Sequence, residues 1–136
     1  MEINFGGQSS VKDVQEIFHG QYPYLKLELY RYPHSRGMAS AIGGKIDASV
    51  LLKALSPLKG LVSFNTDPSQ TVAGFEAEFF RKTGIGAQVV RRSGKLWLQT
   101  TDTDDLTLQQ QNETGRESTY YKEDNGPEDF GLLDED

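Results

Sequence analysis

The chain of 136 residues contains no cysteine. That absence excludes a disulfide framework, a thiolate metal site and a cysteine nucleophile. Histidine is nearly as scarce, with only His19 and His34, and neither has a sequence neighbour that would make it a base or a ligand. His19 falls on the polar side of its helix and reads as a surface residue. Nowhere do eighteen apolar residues run together, and the start of the chain has no basic stretch followed by an apolar one. A protein outside the membrane, cytoplasmic and monomeric, is the expectation. No nucleophile elbow surrounds Ser9-Ser10 or Ser93-Gly94, and Ile42-Gly43-Gly44-Lys45 is too short for a phosphate loop. These gaps imply no cofactor and lean away from an enzyme.

What is present suits one folded unit. The chain is 36% hydrophobic and 25% charged, with seven Phe and six Tyr, values at which a core can form. The net charge of −6 is an average over unlike parts. Residues 1–101 carry 12 basic and 8 acidic side chains, whereas residues 102–136 carry 2 and 12. The body is mildly basic and the end strongly acidic.

Period and punctuation then place the elements. Glu2-Ile3-Asn4-Phe5 alternates as a strand and stops at Gly6-Gly7. Ser10 with Asp13 has capping-box spacing, and Val11, Val14, Ile17, Phe18 and Tyr22 share one helical arc before Pro23. From Tyr24 to Arg31 the alternation is strict: Leu25, Leu27 and Leu29 face one way, Lys26, Glu28 and Tyr30 the other. The order recurs some sixty residues on. Leu61–Phe64 reads as a strand, Asp67-Pro68 as a turn, and Thr71–Lys82 as a helix whose Val72, Phe75 and Phe79 sit 61 positions after Val11, Val14 and Phe18. Ile85, Ala87, Val89 and Arg91 answer to Leu25, Leu27, Leu29 and Arg31. The Ser93-Gly94 turn closes a hairpin onto Leu96–Thr100, with Trp97 on the face opposite Leu96 and Leu98.

Two regions are less regular. Residues 32–60 read as a long loop with a short helix over 48–55. Thr107 and Gln110 could cap one or two helical turns that Gly115 stops, and the composition from Glu113 onward predicts disorder. The expected architecture is therefore a single α+β domain over 1–112 with an acidic disordered tail over 113–136. Its order of elements fits a ferredoxin-like βαβ-βαβ sandwich with an extra C-terminal hairpin strand and two helices on one face of the sheet. Burying Phe18, Phe75 and Phe79 would contribute about 1.5–3 kcal/mol each.

Three sets of residues could carry function. Arg91, Arg92 and Lys95, with Trp97 just past the turn, form a basic hairpin beside an aromatic, suited to an acidic protein or a nucleic acid. The plainer reading is a solvated hairpin whose charges deter edge-to-edge pairing. Asp102, Asp104 and Asp105 could hold a hard cation for a small metal-dependent hydrolase, or simply cap a turn. Glu76 falls between Val72 and Phe80 on the helical wheel and reads as exposed, a buried catalytic carboxylate being the rarer alternative. The best reading is a non-enzymatic binding module for an acidic partner, over which the acidic tail could compete. A structural subunit of a larger assembly is the third possibility.

Two stretches carry a resemblance. Phe18–Glu28, with Tyr22-Pro23-Tyr24-Leu25-Lys26-Leu27-Glu28, and Val90–Asn112, with Arg92-Ser93-Gly94-Lys95-Leu96-Trp97-Leu98 running into Thr101-Asp102-Thr103-Asp104-Asp105-Leu106-Thr107-Leu108, are similar to a family of small bacterial α+β proteins of the Bacteroidetes. The resemblance implies no activity, cofactor or catalytic residue.

Overall fold

Each helix of the core begins where its sequence says it should. In the computed structural model, which describes residues 1–31, 44–58, 60–100 and 103–125, helix α1 (Val11–Gln21) opens on Ser10, whose hydroxyl accepts from Asp13 N at 3.1 Å while the Asp13 carboxylate accepts from Ser10 N at 2.9 Å. Helix α2 (Val72–Thr83) opens on Thr71, which accepts from Gly74 N at 2.9 Å, and closes on Gly84 at φ 75°. Only glycine adopts that left-handed closure without steric cost. Strand β1 (Glu2–Phe5) precedes α1 and β2 (Leu25–Tyr30) follows it; β3 (Val62–Asn65) precedes α2 and β4 (Gly86–Ser93) follows it. Then come β5 (Leu96–Gln99) and helix α3 (Leu108–Asn125).

The strands pair across the two halves. β1 lies antiparallel to β3, with Ile3 opposite Phe64, and β2 lies antiparallel to β4, with Leu27 opposite Val89. β5 extends the second sheet, giving orders β1-β3 and β2-β4-β5. Among the described residues the fold is α+β with three α-helices and two antiparallel sheets. A ferredoxin-like sandwich would join all four core strands in one sheet; here first strands pair with first and second with second, and the aromatic core lies where the two sheets and the helices meet. Phe5 stacks on Phe64 at 4.8 Å, Phe64 on Phe79 at 5.0 Å, and Phe18 meets Phe75 at 5.2 Å. All five rings are buried, as are Leu25, Leu27 and Leu29.

One hydrogen-bond plan serves both halves. The first two amides of α1, on Val11 and Lys12, donate to the carbonyls of Val50 and Ala48; those of α2, on Val72 and Ala73, donate to Leu106 and Asp104. Leu52 N and Lys53 N donate to Ser9 and Gly7, while Leu108 N and Gln109 N donate to Gln70 and Pro68. In each half a returning segment thus satisfies amides that a helix start leaves without intrahelical partners. At the other end Gln21 Nε2 donates to Glu2 O at 3.1 Å, and Lys82 Nζ to Ser63 O at 2.6 Å. Both donor and acceptor here are displaced by 61 positions, the same displacement that relates Val11 to Val72.

Residues 44–58 of the long connection are more ordered than their composition suggests. Lys45 bridges Tyr30, Ile46 N donates to Leu29 O at 2.8 Å, and Arg31 N donates to Gly44 O at 2.8 Å, so Lys45-Ile46 plays beside β2 the part that β5 plays beside β4. The helix expected over 48–55 is one 3-10 turn, Leu52–Ala54, with Leu52 fully buried. Residues 32–43 and Lys59 of the expected loop lie outside the described residues.

The largest departure is α3. Gly115 does not stop it, and the helix runs on to Asn125 through sequence expected to be disordered. Leu108, Gln111, Gly115 and Thr119 are its buried stripe. Residues 126–136, the rest of the expected acidic tail, lie outside the described residues. Among the described residues no helix is long and apolar enough to cross a membrane.

Candidate binding surface

The β4–β5 hairpin turns through Gly94, at φ 64°, and Lys95, the positive angle at the first central position being one that glycine supplies freely. Because strand residues alternate in direction, Arg91 and Arg92 must part company. Arg91 lies opposite Leu25 on the helix-covered face, where its Nη1 donates to Gln111 Oε1 of α3 at 3.0 Å. Arg92 lies on the other face, directly across from Trp97, and its Nε donates to Gly94 O at 2.8 Å. Lys95 stands exposed in the turn. Of the four residues singled out in the sequence, Arg92, Lys95 and Trp97 therefore share a surface, and Arg91 serves the attachment of α3.

Two residues join that surface through the fold. The Lys26 ammonium sits 4.7 Å from the centre of the Trp97 ring, within the range of a cation–π contact. His19, at the end of α1, presents its ring edge to Trp97 with centroids 6.1 Å apart and planes at 65°. Its Nδ1 is 2.8 Å from Leu25 O. A carbonyl can only accept, so that nitrogen carries a proton and the imidazole is held in one orientation. Lys26 belongs to the first half of the chain and Trp97 to the second, so only the β2-β4-β5 pairing brings them together. The alternation of β2 already pointed Lys26 outward, but nothing in the sequence named its neighbour.

The acid on this face of β2 is already engaged. Glu28 accepts from Tyr30 Oη at 2.9 Å and from Lys45 Nζ at 3.0 Å. Burial, and then the Glu28 carboxylate, push the Tyr30 phenol well above its ordinary value. Trp97 and its neighbours thus present cationic groups and an aromatic face, with the nearest carboxylate of β2 bound within its own cluster.

Glu76 is buried, against the expectation of exposure. Its Oε2 accepts from Val89 N at 2.8 Å, beyond the point where β5 leaves β4 without a strand partner. Gln15, the residue 61 positions earlier, does the corresponding work on β2, donating to Leu27 O at 2.9 Å. Glu76 is a backbone partner inside the fold.

The aspartate cluster is divided. Asp102 lies outside the described residues, Asp104 is buried and Asp105 exposed. The main chain here caps α2, with Asp104 O accepting from Ala73 N at 2.6 Å. Among the described residues no three His, Asp or Glu side chains converge as a metal-holding group. An open cleft of about 310 Å³ lies elsewhere, lined in part by Glu2, Ser63, Asn65, Glu78 and Lys82. Its lysine is paired with Glu78 at 2.9 Å. Comparisons with protein-family models, with curated proteins and with solved structures find no match to this chain.

Proposed function

We propose that the protein is a non-enzymatic binding module whose β4–β5 face receives an acidic segment of a partner protein. The observation that carries this reading is the arrangement of Lys26 over Trp97 with Arg92 directly across the strand pair. An aromatic ring gives an extended partner a flat apolar support, and the cations around it favour carboxylates. A protein segment fits better than a nucleic-acid duplex. Lys26, Arg92 and Lys95 supply three permanent charges, fewer than the roughly six to ten phosphate contacts of a typical duplex-binding surface.

Trp97 is the sole tryptophan, so its fluorescence reports on this surface without labelling. Titration with a short poly-glutamate peptide should change the emission, and the affinity should fall as salt rises. Reversing charge at Arg92 and Lys95 together should weaken binding by about tenfold or more, equivalent to about 1.4 kcal/mol. Equal affinity of the charge-reversed and natural chains would refute the reading.

A further inference from the structure

Several outward main-chain groups on the strand edges are met by specific partners among the described residues. On the outer edge of β2 the carbonyls of Leu25, Leu27 and Leu29 accept from His19 Nδ1, Gln15 Nε2 and Ile46 N at 2.8, 2.9 and 2.8 Å. On β1 Glu2 O accepts from Gln21, and on β3 Ser63 O accepts from Lys82 while Asn65 N donates to Glu78 Oε1 at 3.0 Å. Where β4 extends past β5, Val89 N donates to Glu76 and Val89 O accepts from Thr100 Oγ1 at 2.9 Å.

β5 is different. Arg92 N donates to Tyr24 O, so the main chain of Arg92 faces β2, and that of Arg91 and Ser93 faces β5. Their partners in register are Leu98 and Leu96. The alternate residues, Trp97 and Gln99, therefore direct N–H and C=O away from the sheet, and among the described residues nothing meets those groups. The open edge borders the basic aromatic face on one side. On the other it is flanked by Leu96, which is 48% exposed, and by half-buried Leu98.

We propose that β5 is a docking edge, which an acidic partner segment joins as a fourth strand of the β2-β4-β5 sheet. The inference rests on the binding-module reading above and adds its mode. Backbone bonds to Trp97 and Gln99 would hold the segment in register, and its side chains would alternate. Carboxylates would fall on the side of Arg92, Trp97 and Lys26, and aliphatic groups on the side of Leu96 and Leu98. Charge complementarity selects this occupant over a second copy of the chain, because β5 against β5 would continue one basic face into another and offer no carboxylate to Arg92 and Lys95.

The test uses the full chain, isotope-labelled, with two nine-residue peptides of equal charge. One alternates Glu and Val; the other alternates Glu and Pro, which cannot supply every backbone donor of a strand. With saturating Glu-Val peptide the amides of Trp97 and Gln99 should exchange about tenfold more slowly or better, and the Glu-Pro peptide should bind about tenfold more weakly, or about 1.4 kcal/mol. Equal binding of both peptides with those amides unchanged would overturn the docking edge while leaving the basic surface intact. Slow exchange in the free chain at low concentration, or protection that grows with protein concentration, would overturn it too, by showing the edge already closed. If neither peptide binds, the basic-surface reading fails and takes the docking edge with it.

Discussion

At Gly115 helix α3 passes close against Tyr24 and Arg91. A methyl group there would stand 2.9 Å from Tyr24 Cβ, 3.0 Å from Arg91 Cγ and 3.1 Å from Tyr24 O, and the main-chain atom cannot move aside. Gly115→Ala should therefore destabilise the protein by about 1–3 kcal/mol despite the better helix propensity of alanine. Gly20 is the control, since a methyl at that helical position meets nothing within 4 Å. Gly20→Ala should stabilise by about 0.5–1 kcal/mol. Urea unfolding of the two variants checks both signs. In the sequence Gly115 reads as a helix stop, whereas the structure sets both it and Gly20 within helices. What separates them is an approach to Tyr24 from 91 positions away, which no local signal encodes.

The phenols of Tyr22 and Tyr30 respond to their surroundings in one direction. Burial raises Tyr22, with the Asp67 charge adding to it, and its hydroxyl donates to Thr66 O at 2.6 Å. Tyr30 is raised by burial and by Glu28. A phenol held above its unfolded value of 10.0 binds its proton more tightly in the folded state. Its stabilising contribution is complete below pH 10 and is lost as the pH climbs toward the folded values. Thermal melting should show a stability that falls above about pH 10, and the double variant Tyr22→Phe, Tyr30→Phe should flatten that fall. An alkaline limb unchanged in the double variant would show that other groups cause it.

At the scale of elements, α3 is fastened differently from α1 and α2. The core helices bury Val11, Val14 and Phe18, and Val72, Phe75 and Phe79. Beyond Leu108, α3 buries Gln111, Gly115 and Thr119 and is held by polar contacts. Gln111 Nε2 donates to Thr103 O at 2.7 Å, Tyr24 N donates to Asn112 Oδ1 at 2.9 Å, Gly94 N donates to Thr119 Oγ1 at 3.2 Å, and the Ser93 and Ser118 hydroxyls meet at 2.6 Å. A neutral hydrogen bond contributes only about 0.5–1.5 kcal/mol net, so this segment should open before the sheets do. Hydrogen exchange should find amides of residues 113–120 less protected than those of 75–83. Equal protection would mean that α3 belongs to the cooperative core. This also explains why its helix was hard to read. Sequence patterns reveal apolar periodicity, and the stripe Leu108, Gln111, Gly115, Thr119 has a helical period with a single apolar member. The helices with apolar stripes, and the Ser10 cap of the first, are legible in the sequence, whereas Thr71 reads as helical and proves to be the cap of α2.

For the whole molecule, the repeat at 61 positions was visible in the sequence, but the way the two units join was not. Hydrophobic rhythm says that Leu27 and Val89 each face a core; it does not say that they face each other, because pairing partners are chosen by the assembled sheets. The same gap hid the surface. Arg92 and Trp97 belong to one hairpin and could be paired from the turn, whereas Lys26 and His19 reach Trp97 only after β2 lies beside β4. Adjacency in the sequence groups Arg91 with Arg92, and strand alternation divides them.

The contact between Lys26 and Trp97 therefore tests both fold and surface, and proton NMR of the full chain reads it directly. Nuclear Overhauser effects should connect the Lys26 side chain to the Trp97 indole, and the α-protons of Leu27 and Val89 should show a strong cross-strand effect. Absence of both, with β2 signals connecting to β3 instead, would contradict the cross-paired halves and remove the surface built upon them.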